Sequence, residues 1–104
     1  MNPYETRKIG ASIDIPLLGF GAGALNHSQH SFSIVDARKT LRAAWKAGLR
    51  YFDTAPMYAY GMSERLIGDL IRERDGHAVL STKVGRLLKP DSPPDPAEPS
   101  LPCA

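Results

Sequence analysis

The sequence predicts an α/β protein whose parallel sheet is covered by helices. Three observations carry this. Two segments with apolar residues at helical spacing alternate with short apolar runs, the pattern of a parallel sheet with helices packed outside it. Residues 49–84 form one βαβ unit of the expected size, about 30 residues or more. Two of the apolar runs end at a charged residue, Asp53 and Lys83. A charge there is unusual in a core and ordinary at the mouth of a parallel α/β sheet, where ligands bind.

Taken in order, residues 4–16 read as a hairpin. Thr6 to Ile9 is one arm, Gly10-Ala11-Ser12 the turn, and Ile13 to Pro16 the return. The run Leu17-Leu18-Gly19-Phe20-Gly21-Ala22-Gly23 reads as a first buried strand that enters a glycine-rich loop. Residues 24–32 are polar loop carrying His27 and His30.

Ser33 opens the first helix, with Asp36 three residues on. At that spacing each side chain can satisfy the other's free backbone N–H. Ala37, Leu41, Ala44, Trp45 and Gly48 recur at helical spacing, with Arg38, Lys39, Arg42 and Lys46 outside. Gly48 suits the left-handed residue that stops a helix. A second strand is expected from about Leu49 to Asp53.

The second helix is predicted over about Ser63 to Arg74. Leu66, Ile67, Leu70 and Ile71 form its buried face. Glu64 stands in its first turn and Arg72 and Arg74 in its last, as the helix dipole prefers. Asp75-Gly76 ends it, and Val79 to Val84 is the third strand. Six of the nine prolines follow Lys89 (Pro90, Pro93, Pro94, Pro96, Pro99 and Pro102). Such a segment cannot form a strand or helix interior, so 89–104 is expected to be a disordered tail behind an ordered 1–88. Three parallel strands leave an open edge, so the chain reads as the first part of something larger.

Composition narrows the function classes. With 104 residues the chain has room for one small domain. A content of 42% hydrophobic and 23% charged residues is that of an ordinary globular protein. The net charge of +2 comes from bases scattered among acids, so no nucleic-acid partner is expected. The single cysteine, Cys103, excludes an internal disulfide. The first residues lack a basic-then-apolar leader, and no apolar run approaches the roughly 18 residues of a membrane helix. A cytoplasmic protein without a membrane partner is the expectation.

The chemistry concentrates in residues 50–64 and 79–84. Asp53 closes one strand, Lys83 another, and Tyr58 lies on the loop between; Asp, Tyr and Lys around one mouth form a proton-handling set. Chemistry alone does not choose Tyr58 over Tyr60. Each residue has a plainer reading. Asp53 can begin a turn into Pro56, Tyr58 can be a packed loop aromatic, and Lys83 a solvated strand end. Their joint separation favours a site. His27-Ser28-Gln29-His30 lacks a third ligand, so no metal is expected. Gly19-Phe20-Gly21-Ala22-Gly23-Ala24 fits the dinucleotide fingerprint G-x-G-x-x-A on paper. That motif must open a helix directly, with an acid about 20 residues on. Here the helix waits until about Ser33 and Asp53 comes too late, so a Rossmann-type domain is the secondary enzyme reading.

The stretch Asp53-Thr54-Ala55-Pro56-Met57-Tyr58-Ala59-Tyr60-Gly61-Met62-Ser63-Glu64 resembles the signature of the aldo-keto reductases. So does Ser81-Thr82-Lys83-Val84-Gly85 one helix later. Arg7-Lys8-Ile9-Gly10 and Leu18-Gly19-Phe20-Gly21 are similar to that family's hairpin plug and first strand. The resemblance covers residues 4–88 and points to the sugar-oxidising branch of D-threo-aldose (L-fucose) dehydrogenases. It implies an incomplete (β/α)8 TIM barrel, with the N-terminal hairpin, three strands and two helices of a fold of about 250 residues.

The resemblance also implies an NAD(P) cofactor and a carbonyl or sugar substrate. In the family's set of Asp, Tyr, Lys and His, Asp53, Tyr58 and Lys83 match the first three by motif position. Tyr58 is then the general acid/base, Lys83 its tuner and Asp53 the partner of Lys83. A phenol of pKa about 10 is a sluggish proton carrier near neutrality, and a nearby ammonium favours its phenolate. Gly21, Ala22 and Gly23, with Asp53 at the same mouth, are the expected cofactor contacts. The family's histidine ends a fourth strand; His27, His30 and His77 do not match its position. A non-catalytic remnant that keeps three site residues is therefore the rival from another class.

Overall fold

The computed structural model describes residues 2, 4–25, 33–74 and 76–86. Strands β1 (Thr6–Ile9) and β2 (Ile13–Pro16) pair antiparallel as the hairpin, with Ile9 opposite Ile13. Three further strands, β3 (Phe20–Gly21), β4 (Tyr51–Asp53) and β5 (Val79–Ser81), form a parallel sheet in the order β3-β4-β5. Helices α1 (Ile34–Lys46) and α2 (Met62–Glu73) are the crossovers. This is the start of a (β/α)8 barrel, open along its β3 and β5 edges among the described residues. His27, His30 and the proline-rich segment 89–104 lie outside the described residues.

Helix α1 starts where its cap dictates. The Ser33 hydroxyl accepts the backbone N–H of Asp36 at 3.0 Å. Gly48, at φ +102°, takes the left-handed conformation that ends the helical turn and returns the chain to β4. The Tyr4 hydroxyl donates to the carbonyl of Ala47 at 2.8 Å, tying the residues before the hairpin to this corner.

The apolar faces meet the sheet. Ala37, Leu41, Ala44 and Trp45 of α1 and Leu66, Ile67 and Leu70 of α2 are buried with Phe52. Phe52 is fully buried, stacked on Trp45 at 6.3 Å between ring centroids and tilted against Phe20 at 5.9 Å. Each large apolar side chain so buried stabilises by about 1.5–3 kcal/mol. Arg50 covers Trp45, its guanidinium carbon 3.8 Å from the ring centroid. Arg38–Asp69 (3.3 Å) and Arg42–Glu73 (3.4 Å) join the two helices at the surface.

The strands are shorter than expected. Leu17 and Leu18 are 37% and 45% exposed and stand in a bend, not in a buried strand. Leu17 N–H donates to Glu5 carbonyl oxygen at 2.8 Å, which holds it to the hairpin, so β3 begins only at Phe20. The glycine-rich stretch continues as a 3-10 turn, Ala22–Leu25, four residues long. The long helix that a Rossmann domain needs at Gly21–Ala24 is absent from the described residues, where α1 begins at Ile34. At the other edge β5 stops at Ser81, because β4 turns away after Asp53; Thr54 N–H donates the closing bond to Ser81 carbonyl oxygen at 2.9 Å. Lys83 stands two residues beyond the strand and Val84 is fully open to solvent. Arg74 has extended backbone at the C-cap of α2, so Arg72 alone is the base of the last turn.

Candidate active site

The sheet register assembles the site. Gly21, Asp53 and Ser81 pair across the three strands, so the C-terminal ends of β3, β4 and β5 lie side by side. Alternation along β4 sends Phe52 into the helix-covered core and places Tyr51 and Asp53 on the opposite face. Gly19 gives the Tyr51 ring its space: a Cβ there would stand 2.6 Å from Tyr51 Cδ2.

Asp53 is bonded at both oxygens. Its Oδ1 accepts from the Ser81 hydroxyl at 2.5 Å and its Oδ2 from Lys83 Nζ at 3.1 Å. These bonds hold the carboxyl below the ordinary carboxylate range, the Ser81 bond first and Lys83 second. Lys83 donates again to the carbonyl of Thr54 at 2.9 Å. Its ammonium is held above the ordinary lysine value, chiefly by the bond it donates to Asp53 and then by Tyr58. Both side chains are about half exposed, which leaves them open to a ligand.

Tyr58 opens a 3-10 turn, Tyr58–Gly61, between β4 and α2. Lys83 Nζ lies 5.0 Å from its ring centroid. Asp53, Lys83 and Tyr58 are thus brought together from two strand ends and one loop. Tyr60 is 60% exposed in the same turn. The turn is strained: Ala59 and Tyr60 both have left-handed backbone, at φ 50° and 58°. His77 is exposed before β5, at the opposite end of the strand from Lys83.

The glycines divide. Gly21 is exposed and a Cβ there would meet nothing within 4 Å, so the strand mouth is open beside Asp53. A Cβ on Gly23 would touch the Tyr58 ring at 3.5 Å. Ala22 has no exposed surface and belongs to the core, so its side chain does not face the site.

Four hydroxyl residues of this cluster escape a search for charged groups. Ser81 and Tyr51 share a bond of 3.0 Å between their hydroxyls. Thr54 and Ser63 pair their hydroxyls at 2.9 Å in the interior, fixing the start of α2 to the end of β4. A period-2 reading would have found the first pair, since Tyr51 and Asp53 alternate onto one face of β4 and Ser81 is Asp53's neighbour in register. Glu64 also reaches the site's rim, accepting from the Thr82 hydroxyl at 2.8 Å.

The sequence profile of the aldo/keto reductase family matches residues 17–100. The chain is 46% identical over 85 residues to pyridoxal 4-dehydrogenase from Microbacterium luteolum, covering 81% of this chain and 25% of that protein. It is 40% identical over 92 residues to D-threo-aldose 1-dehydrogenase from a Pseudomonas species, covering 88% of this chain and 28% of the relative. The chain therefore spans about a quarter of the length of these relatives. Among solved structures, the holo form of the aldo-keto reductase AKR11C1 from Bacillus halodurans superposes with a TM-score of 0.69 at 29% identity, over 83% of this chain and 28% of that one.

Proposed function

The chain belongs to the aldo/keto reductase family of oxidoreductases, and on that premise we propose that Asp53, Lys83 and Tyr58 are the acid–base part of an NAD(P)-dependent site. The reaction is hydride transfer between a nicotinamide and an aldehyde, ketone or sugar lactol. The observation that carries the reading is the meeting of Lys83 Nζ with Asp53 Oδ2 at 3.1 Å and the Tyr58 ring at 5.0 Å.

The residues have separate tasks. Tyr58 gives its phenolic proton to the oxygen of the reduced carbonyl and takes one back in the oxidative direction. Lys83 brings its positive charge beside that phenol. Asp53, with the Thr54 carbonyl, holds that ammonium in place. A bound nicotinamide supplies the hydride. Gly21, whose backbone is open beside Asp53, and Gly23, next to the Tyr58 ring, would hold that nicotinamide. The sugar-lactol assignment follows the D-threo-aldose 1-dehydrogenase likeness. No helix among the described residues is long and apolar enough to cross a membrane, and we place the enzyme in the cytoplasm.

These 104 residues by themselves are proposed not to turn over, because no histidine among them matches the family's fourth catalytic position. A chimera tests the site directly. Residues 4–86 replace the aligned segment of the Pseudomonas D-threo-aldose 1-dehydrogenase, and sugar-dependent nicotinamide absorbance is followed. The chimera is expected to be active and to lose about 10²–10⁴-fold in kcat with Tyr58→Phe. A folded chimera whose rate ignores Tyr58→Phe would overturn the assignment. Tyr58-dependent turnover by the 104-residue chain alone would overturn the claim that it needs more.

A further inference from the structure

We propose that Tyr51 and Ser81 are positioning residues, a directed pair of hydroxyls that hold Asp53 ionised with its second oxygen aimed at Lys83. The inference rests on the reading of Asp53, Lys83 and Tyr58 as the site, and it extends that site by two hydroxyl residues.

Hydrogen counting fixes the direction. An ionised carboxylate only accepts, so the 2.5 Å contact between Ser81 Oγ and Asp53 Oδ1 uses the one proton that serine has. The 3.0 Å contact between Tyr51 and Ser81 must then run from the phenol to the serine oxygen. The order is Tyr51 to Ser81 to Asp53, with Lys83 donating to the other carboxylate oxygen. Donors aligned in one direction polarise one another and strengthen the last bond. Neutralising Asp53 would weaken the acceptor at the end of the series, so the pair favours the carboxylate.

Geometry gives the pair a task beyond packing. Asp53 is about half exposed, and a carboxyl with one free oxygen could rotate away from Lys83. With Oδ1 fixed by Ser81, Oδ2 has one direction left. Other charged or titratable groups near Asp53 are few. Lys83 follows β5, Tyr58 comes from the 3-10 turn, and Glu64 of α2 is engaged by Thr82. Neither β3 nor the turn Ala22–Leu25 has an ionisable side chain. The serine bond is the leading influence that lowers the Asp53 pKa.

The test is a carbon-13 NMR titration of the Asp53 carboxyl carbon in the 104-residue chain and its variants. In the parent chain Asp53 is expected to titrate below the ordinary aspartate range. Ser81→Ala moves the midpoint up; Ser81→Thr, which keeps a hydroxyl, restores it. Tyr51→Phe, which removes one oxygen and keeps the ring, moves it up by less. A role in packing alone would leave the midpoint unchanged in Tyr51→Phe. An ordinary Asp53 midpoint in the parent, or one indifferent to both Ser81→Ala and Tyr51→Phe, overturns the proposal. This readout needs no turnover, so a folded chimera whose rate ignores Tyr58→Phe refutes the catalytic reading while the titration still decides the hydroxyl pair.

Discussion

Lys83 Nζ lies 3.1 Å from Asp53 Oδ2 across the β4–β5 pair, although thirty residues separate them in the chain. The contact fixes a pH dependence of stability. Asp53 has a lowered folded pKa, so its share is present above the unfolded value of 3.8 and is lost as pH falls through the folded one. Lys83 has a raised folded pKa, so its share is present below 10.5 and is lost as pH rises through the folded value. The stability difference between the parent chain and Lys83→Met should therefore be flat between those limits and shrink beyond each. Urea midpoints across that range check it. A difference that persists undiminished in acid would mean that the pair does not form.

Gly19→Ala should disturb Asp53 without touching it. The added methyl carbon would lie 2.6 Å from Tyr51 Cδ2, closer than packed atoms approach, so the ring must move. Tyr51 then loses its reach to Ser81, and the Asp53 midpoint is expected to rise as in Tyr51→Phe. A glycine-to-alanine change that leaves the carboxyl titration unmoved would show that the ring shifts with its hydroxyl bond intact.

The core prediction concerns Phe52, which is fully buried between Trp45 and Phe20. Phe52→Ala is expected to cost about 3–5 kcal/mol, the usual range for emptying an aromatic site. Small domains are stable by about 5–15 kcal/mol, so this one change removes much or all of the margin. Loss of the near-ultraviolet dichroism of Trp45 would report it. Asp53 follows Phe52 directly, so the same variant should release the Asp53–Lys83 contact.

The hairpin, both helices and the Asp53–Lys83 pairing were legible in the sequence, because each has a local chemical cause. Gly10-Ala11-Ser12 sets the turn, Ser33 the helix start, Gly48 the stop, and an acid and a base end two strands that the βαβ pattern makes neighbours. Strand lengths were not legible. Leu17, Leu18 and Val84 have strand-like side chains, but a strand lasts only while a partner runs beside it, and β4 is three residues long. Ala22 looked like part of an open loop because its neighbours are glycines; its burial depends on the helices that cover it. Tyr51 and Ser81 were passed over because hydroxyl residues are ordinary in strands, and only the register shows that they meet.

The least legible feature, the left-handed pair Ala59–Tyr60, carries the last prediction. A non-glycine residue in that region costs roughly 1–2 kcal/mol, and nothing in the local sequence signals it. Tyr60 is 60% exposed with φ 58° and ψ 40°, so its ring offsets little of that cost by burial. Tyr60→Gly removes the strain but adds about 0.5–1 kcal/mol of backbone entropy to the unfolded chain. A net gain of about 0.5–1 kcal/mol is expected. Tyr60→Val, whose branched side chain tolerates this conformation poorly, should lose stability instead. Urea midpoints for the two variants should move in opposite directions; movement in the same direction would mean that Tyr60 matters here for its ring and not its backbone. Tyr58 begins the same turn, so relaxing it should also loosen the ring against Lys83. In the chimera, Tyr60→Gly is therefore expected to be the more stable protein and the slower enzyme, the relation expected when strain in a turn serves to aim a catalytic group.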